Sequence, residues 1–247
     1  MVEAVYPQYH YPRRRPIRAV LSRVSRWAFE CLSDLEIVGK ENLPKRGPLI
    51  VVANHFHAID PALMVGIVPW PLEFLSAQHI VAGPQWLHFF PDLWGVIHVA
   101  RGSVASRSSL HAAEMVLRGN GVLGIYPEAG AWSRLLRPPR PGAAYLAARS
   151  GAPLLPMGVD GMPNLFPALG KGRRAKVLVR IGQPFGPYQV TGKGHERRLQ
   201  LEQIGHDIMR HIAELLPEEN RGYYGADPVL RERALAESAY PDRALDG

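Results

Sequence analysis

The sequence contains little cysteine and no long uninterrupted apolar run. Cys31 is its only cysteine, which excludes an intrachain disulfide bond and a thiolate metal cluster. The longest largely apolar stretch, residues 62–81, is interrupted by two prolines and by Glu73. A helix that spans a bilayer needs about 20 predominantly apolar residues, so we expect no transmembrane helix. Residues 1–16 are polar, basic and rich in proline, and this composition does not predict a secretory signal.

Two motifs of common enzyme classes are also missing. The chain contains no Gly-x-x-x-x-Gly-Lys-Ser/Thr loop and no Gly-x-Ser-x-Gly turn. The first absence argues against a P-loop enzyme, and the second argues against a serine hydrolase of the common type.

The overall composition predicts a folded, basic protein. The 247 residues are enough for one well-cored α/β domain, and 47% of them are apolar. Twenty-nine Lys and Arg residues face 22 Asp and Glu residues, which gives a formal net charge of +7. This balance suits phosphate-bearing substrates, anionic lipid head groups or nucleic acid, and it does not choose among them.

Predicted strands and helices alternate from about residue 35 to residue 185. This order favours an α/β fold with a mostly parallel central sheet flanked by helices, preceded by an N-terminal amphipathic helical extension. We divide the chain into a basic arm and amphipathic helix at 1–34, an α/β domain at 35–216 and a polar C-terminal tail at 217–247.

The N-terminal extension has helical spacing of its apolar residues from Ile17 to Leu32. Arg18, Arg23 and Arg26 are expected on the opposite face. Such a helix either lies in a bilayer interface or packs on the domain with its arginines in water, and its amphipathicity does not separate these alternatives.

A histidine and an aspartate follow the predicted strand Leu49–Ala53. His55 and Asp60 are separated by four residues, and a turn between strand and helix can bring the carboxylate back to the imidazole. Such a pair fixes one tautomer of the histidine and stabilises its protonated form, as a general base requires. Alternatively, Asp60 only caps the next helix. His57 could also pair with Asp60, but His55 is preferred because it stands closer to the strand end.

A metal site is a further alternative for the same stretch. His55 and His57 could supply half of the ligands. No companion cluster with familiar zinc spacing is visible elsewhere in the sequence, so we do not predict a metal.

Two downstream segments carry candidate binding residues. Arg101 follows a predicted strand and stands beside Gly102, where its guanidinium could bind a phosphate. Glu128 ends another strand and could accept hydrogen bonds from a substrate hydroxyl or from Arg101. Gly130 comes shortly afterwards, where the absence of a side chain lets a ligand approach the backbone.

A basic loop follows these residues. Arg134, Arg137 and Arg140 are spaced three residues apart. They are either contacts for an anionic ligand, with Arg134 the nearest to Glu128 in the sequence, or solvated surface charges.

Taken together, four short stretches resemble the glycerolipid acyltransferase family, whose best-known member is lysophosphatidic acid acyltransferase. Each motif is weak alone, but the four occur in the family's order over about residues 48–160. The matching residues are Asn54, His55 and Asp60 for Asn-His-x4-Asp; Gly95 and Arg101 for the second motif; Pro127 and Glu128 for Pro-Glu-Gly; and Leu154, Leu155 and Pro156 for the fourth.

The resemblance implies transfer of a fatty acyl group from an acyl thioester, acyl-CoA or acyl carrier protein, to a lysophospholipid hydroxyl. The expected acceptor is 1-acylglycerol-3-phosphate, and the expected setting is phospholipid biosynthesis at the cytoplasmic membrane surface by a peripheral protein. His55 would be the base, Asp60 would orient it, and Arg101 and Glu128 would position the acceptor. No cofactor, metal or nucleic-acid partner is implied.

The third motif departs from the family pattern. The family usually continues Pro-Glu-Gly with Thr-Arg-Ser, whereas this chain has Trp132 at or near the arginine position. Either one of the three loop arginines takes its place, or the acceptor differs. The remaining alternatives are a non-catalytic basic α/β module that binds lipid and a metal-dependent hydrolase.

Overall fold

The computed structural model describes residues 11–77, 89–99 and 104–239. Within these ranges the strands are β1 (Ser33–Val38), β2 (Leu49–Ala53), β3 (Glu73–Ala77), β4 (Ile97–Val99), β5 (Val122–Ile125), β6 (Leu154–Asp160) and β7 (Ala175–Ile181). The α-helices are α1 (Arg15–Leu32), α2 (Asp60–Ile67), α3 (Phe89–Trp94), α4 (Val104–Arg118), α5 (Pro141–Ser150), α6 (Leu165–Leu169), α7 (Gly194–Ala213) and α8 (Pro228–Ala236).

The described strands form one sheet in the order β1-β7-β6-β2-β5-β3-β4. Neighbouring strands are parallel except for β6 and β7, which are antiparallel. The prediction of a mostly parallel α/β sheet flanked by helices is therefore confirmed. Residues of β2 are inaccessible to solvent, because this strand lies between β6 and β5 and is covered on both faces.

Alternate side chains of β2 enter two separate hydrophobic clusters. Leu49, Val51 and Ala53 belong to the cluster that includes α2. Ile50 and Val52 belong to the cluster on the other face, beneath α5 and α7. This alternation is the two-residue period of a strand, and it fixes the register in which the residues after Ala53 leave the sheet.

One predicted strand is only partly correct. The strand predicted before Arg101 is read from the apolar residues 94–99, but α3 ends at Trp94 and β4 begins at Ile97. Trp94 is fully buried and its indole N–H donates to the Leu72 carbonyl at 2.9 Å. Gly95 follows with a φ of 78°, a conformation that glycine adopts without steric cost. The apolar character of the segment therefore reflects burial of a helix end as well as a strand.

Helix α1 packs on the domain through the face that was expected to be solvated. Arg18 is 1% exposed, and its guanidinium donates to both carboxylate oxygens of the fully buried Glu73, at 2.5 and 2.8 Å. The Ser25 hydroxyl donates to the Ala62 carbonyl of α2. A side chain at Gly66 would lie 2.9 Å from the α1 backbone, so the two helices are in close contact. The alternative of a helix packed on the domain with its arginines in water is therefore wrong for Arg18, whose partner Glu73 is distant in sequence.

Four apolar residues of α1 consequently face outward, whereas Phe29 is buried in the core. Ile17, Val20, Val24 and Trp27 are all exposed, with Trp27 at 66%. Their spacing of three and four residues places them on one stripe of the helix. We call these four residues the α1 stripe.

The C-terminal region is more ordered than a polar tail. Short 3-10 helices at Glu218–Asn220 and Gly222–Tyr224 precede α8. The Asp227 carboxylate accepts from the Val229 N–H at 2.8 Å, and Pro228 occupies the first helical position. This cap and proline are typical of a helix start. Of the residues of α8, Ala234 is the one that is buried. The weak apolar pattern explains why the helix was not predicted.

Three glycines that follow α4 and extend into β5 have the spacing of a dinucleotide-binding motif but not its structure. Gly119, Gly121 and Gly124 have the Gly-x-Gly-x-x-Gly spacing. The chain here runs from a helix into a strand, whereas that motif requires a strand followed by a helix whose N-terminus meets the phosphates. These glycines therefore do not form that site.

Candidate functional site

The candidate site begins at the carboxyl end of β2. Asn54 is fully buried, its side-chain amide donates to the Val159 carbonyl at 2.8 Å, and its oxygen accepts from the Val159 N–H at 2.7 Å. This pair of bonds fastens the end of β2 to β6. The next residue, His55, therefore leaves the sheet from a fixed point.

His55 and Asp60 are in contact, as the sequence predicted. The Nδ1 atom of His55 lies 3.1 Å from Oδ2 of Asp60. The same oxygen accepts the backbone N–H groups of Phe56 at 2.9 Å and His57 at 2.8 Å. Asp60 is 1% exposed. Its carboxylate therefore holds the loop of residues 55–60 in place from the inside. Its side chain makes no capping bond at the start of α2, which does not support the role of a simple helix cap.

The imidazole of His55 is held from two directions. Because Nδ1 faces a carboxylate, the neutral ring carries its proton on Nδ1 and has a lone pair on Nε2. The Tyr126 ring stacks on the imidazole with centroids 4.2 Å apart and planes 21° apart. The His55 side chain is 16% exposed, so an imidazole held in one orientation remains accessible to a ligand. Tyr126 was not singled out from the sequence.

The ring of His57 makes no bond to the Asp60 carboxylate, which it contacts through its backbone N–H. Nδ1 of His57 instead accepts the Ile59 N–H at 3.4 Å. Burial lowers the pKa of His57, repulsion from His55 and Arg134 adds to this effect, and attraction to Asp60 opposes it. Burial of His57 thus disfavours its charged form, and the geometry favours His55 as the partner of Asp60.

Glu128 faces the protein interior. The residue is 1% exposed, and its Oε1 accepts the backbone N–H of His55 at 2.9 Å. Its Oε2 accepts both the backbone N–H and Nε of Arg137, each at 3.2 Å. Burial raises the pKa of Glu128, while Arg137 and the two amides oppose that shift. Both carboxylate oxygens of Glu128 therefore bond within the protein, one of them to the loop that carries His55, and the expected contact with the acceptor stays a prediction.

Gly130 also makes close contacts within the protein, and its expected approach to a ligand stays a prediction. Its carbonyl accepts from Nη2 of Arg137, and a side chain at this position would overlap the Trp132 ring. The Trp132 ring in turn lies over the Arg137 guanidinium, 4.1 Å from its carbon to the ring centroid. The close approach that glycine permits is made by Trp132.

The three loop arginines have different surroundings. Arg137 is buried against Glu128, and Arg140 donates to the Ser238 carbonyl at 2.6 Å. Arg134 is exposed and close enough to His57 to affect its pKa. Arg101, the other predicted cation, lies outside the described residues.

Two observations, on metal ligands and on membrane-spanning helices, apply only to the described residues. Within residues 11–77, 89–99 and 104–239, no group of three His, Cys, Asp or Glu side chains is placed to hold a metal ion. Over the same residues, every helix is too short or too polar to cross a bilayer.

A mostly parallel sheet with a paired imidazole and carboxylate at the end of a central strand defines an α/β protein equipped for general-base chemistry. The chain belongs to the Acyltransferase family, which it matches over residues 34–160.

Two known proteins illustrate the likeness. The chain is 28% identical over 151 residues to a 1-acyl-sn-glycerol-3-phosphate acyltransferase from Borreliella burgdorferi, a match that spans 58% of this chain and 57% of that relative. The structure of this chain resembles the crystal structure of the 1-acyl-sn-glycerophosphate (LPA) acyltransferase PlsC from Thermotoga maritima. The TM-score is 0.56 at 23% identity, over 81% of this chain and 82% of the other. At that identity the structural likeness concerns the fold.

Proposed function

We propose that the protein transfers a fatty acyl group from an acyl thioester to a hydroxyl of a lysophospholipid, in phospholipid biosynthesis. The observation that carries this proposal is the His55–Asp60 pair, in which Nδ1 faces the carboxylate and the His55 side chain is 16% exposed. Family membership supports it through the matched residues 34–160. The donor is acyl-CoA or acyl carrier protein.

The chemistry requires one base and no covalent acyl-enzyme. His55 Nε2 removes the acceptor's hydroxyl proton while the oxygen attacks the thioester carbon, and Asp60 stabilises the resulting imidazolium. Collapse of the tetrahedral intermediate breaks the C–S bond, and the imidazolium returns the proton to the thiolate. The amides of residues 55–57 already donate to Glu128 and Asp60. Other donors must therefore hold the thioester oxyanion.

We propose 1-acylglycerol-3-phosphate as the acceptor, with Arg134 as a phosphate contact. Arg134 is exposed beside His57, whereas the Arg137 guanidinium is occupied by Glu128 and Gly130. An exposed guanidinium near His57 can form a charge-assisted pair with a phosphate. Arg101 remains a second proposed contact on sequence grounds.

We also propose that the protein acts at a cytoplasmic membrane surface through the α1 stripe. The stripe presents Trp27 and three aliphatic residues, and the exposed Arg23 and Arg26 lie beside it. Aromatic and aliphatic side chains flanked by arginines suit an interface of anionic lipids. The acceptor's acyl chain lies in such a surface.

An acceptor panel tests the catalytic proposal. Purified protein is mixed with acyl-CoA, or in a parallel arm with acyl carrier protein, and with lysophosphatidate or neutral lysolipids. Free thiol release is followed and products are identified by mass spectrometry. We expect release with lysophosphatidate, and we expect Arg134→Ala to raise KM for this acceptor. Lipid binding without thiol release from any pair would overturn the enzyme assignment in favour of a binding module.

Vesicle sedimentation tests the membrane surface. Replacing Val24 and Trp27 together with Ser should weaken binding to vesicles containing phosphatidate at least about tenfold, because each buried apolar side chain contributes about 1.5–3 kcal/mol. Ala19→Ser is the matched control, since Ala19 is exposed on α1 away from the stripe. Equal binding by both variants would reject the stripe as the contact.

A further inference from the structure

The C-terminal segment covers the loop that follows Glu128. We call residues 227–239, which include α8, the C-terminal strap. The Glu237 carbonyl accepts the Trp132 indole N–H at 2.8 Å, and the Glu237 carboxylate accepts the Ser133 hydroxyl at 2.6 Å. One residue further along the strap, the Ser238 carbonyl accepts from Arg140. The strap therefore bonds to both ends of the loop.

The strap holds Glu237 in place from its own side. Nε of Arg233, one helical turn earlier, donates to the Glu237 carboxylate at 2.7 Å. Partial burial would raise the pKa of Glu237, but the hydrogen bonds from Ser133 and Arg233 outweigh it and hold this pKa below its usual 4.5. The carboxylate is thus stabilised in its charged form while it bridges strap and loop.

The loop side of this contact continues inward to the base. The Trp132 ring lies over the Arg137 guanidinium, and Nε of Arg137 donates to Glu128. The other oxygen of Glu128 accepts the His55 N–H. Each step is a direct contact, so an unbroken series of side chains connects the strap to the backbone of the histidine.

We propose that the C-terminal strap is a positioning element for His55, acting through Trp132, Arg137 and Glu128. The inference rests on the proposed acyl transfer for its kinetic consequence. It assigns a role to residues beyond 160, where the family match ends. It also explains Trp132, the departure from the family's third motif, as the residue that receives the strap and covers Arg137.

A positioning role makes a kinetic prediction that a purely structural role does not. Displacing a reacting group by about 1 Å can lower a rate by about 100-fold, whereas the donor and the acceptor phosphate would still bind. Loosening the strap should therefore reduce kcat and leave KM nearly unchanged.

The test compares three substitutions in the full chain. Glu237→Ala removes the acceptor of Ser133 and Arg233, Glu237→Gln keeps an acceptor oxygen, and Glu232→Ala changes an exposed glutamate on the same helix. We expect Glu237→Ala to lower kcat at least about tenfold with KM within about twofold. Glu237→Gln should recover most of the rate, and Glu232→Ala should match the parent protein. Trp132→Phe, which keeps a ring over Arg137 but removes the N–H donor, should have an intermediate effect.

Hydrogen exchange gives a readout that does not depend on activity. Loosening the strap should accelerate exchange of the amides at 55–57, since their loop would open more often. Unchanged exchange and kcat in Glu237→Ala, or a lower melting temperature with unchanged kcat per folded molecule, would overturn the proposal. If the parent protein transfers no acyl group, the proposed function fails, while faster exchange in Glu237→Ala alone would still support the strap. If that variant does not fold, Trp132→Phe and Glu237→Gln supply both measurements.

Discussion

Replacing Asp60 with Asn removes the negative charge beside His55, the proposed base, and preserves the size of the side chain at position 60. In the parent protein one carboxylate oxygen accepts from the His55 ring and from the amides of Phe56 and His57. An asparagine oxygen at the same point can keep the two amide bonds, so the loop should remain closed. The variant thus isolates the effect of the charge on the imidazolium.

The size of the effect follows from the short Nδ1–Oδ2 distance of 3.1 Å. Two unit charges about 4 Å apart attract by about 4 kcal/mol at an effective dielectric constant near 20. Since 1.36 kcal/mol corresponds to a tenfold change in rate, loss of the charge alone should lower kcat about 1,000-fold. An asparagine that turns its NH2 toward His55 would also reverse the tautomer of the imidazole. The corresponding change in a Ser-His-Asp triad lowers kcat about 10,000-fold.

The assay is thiol release from acyl-CoA with lysophosphatidate, measured for Asp60→Asn and for a matched Asp34→Asn control. Asp34 lies on edge strand β1 and its side chain is 58% exposed. We expect the control to keep the parent rate and Asp60→Asn to lose about three orders of magnitude in kcat. Activity of Asp60→Asn within tenfold of the control would refute the role assigned to the carboxylate.

Three further predictions concern packing and pH. Tyr126→Phe should retain most activity and have an equal or higher melting temperature. The buried Tyr126 hydroxyl has no hydrogen-bond partner within the described ranges, and the ring stack on His55 persists in the variant. A large loss of kcat would contradict this prediction. Arg18→Met should lower the free energy of unfolding in urea by about 3–5 kcal/mol, because it removes a partner of buried Glu73, whereas exposed Arg26→Met should change it by less than about 1 kcal/mol. The stabilising contribution of Glu237, whose pKa is depressed, should be present at neutral pH and be lost as pH falls below 4.5; a melting-temperature difference between the parent and Glu237→Gln that persists in acid would refute it.

The sequence was most informative where the pattern is local. The continuous apolar run of β2 and the alternation of strands and helices predicted the sheet, because burial on both faces requires such runs. The pairing of His55 with Asp60 was also within reach, since a strand end and a short loop bring the two residues together.

Contacts between distant residues could not be read in the same way. Glu128 was expected to face the acceptor, but it lies against Arg137 and the His55 amide. One of the two alternatives for α1 had Arg18 in water because its charge predicts exposure, whereas Glu73, 55 residues away, provides a buried partner. The strap was missed because the apolar residues of α8 do not share one face of the helix, and Ala234 is its buried residue. Trp132, which replaces the expected arginine, was the sequence signal that pointed to a difference in this loop.

The central claim is that His55 is the base, and it is tested most directly by comparing His55→Ala with His57→Ala. Both are measured for acylated product by mass spectrometry, with circular dichroism to establish that each variant folds. We predict that His55→Ala abolishes product formation while His57→Ala retains it, because the His55 ring is the one that contacts Asp60. Product from folded His55→Ala at the parent rate, or its loss in His57→Ala alone, would contradict the assignment.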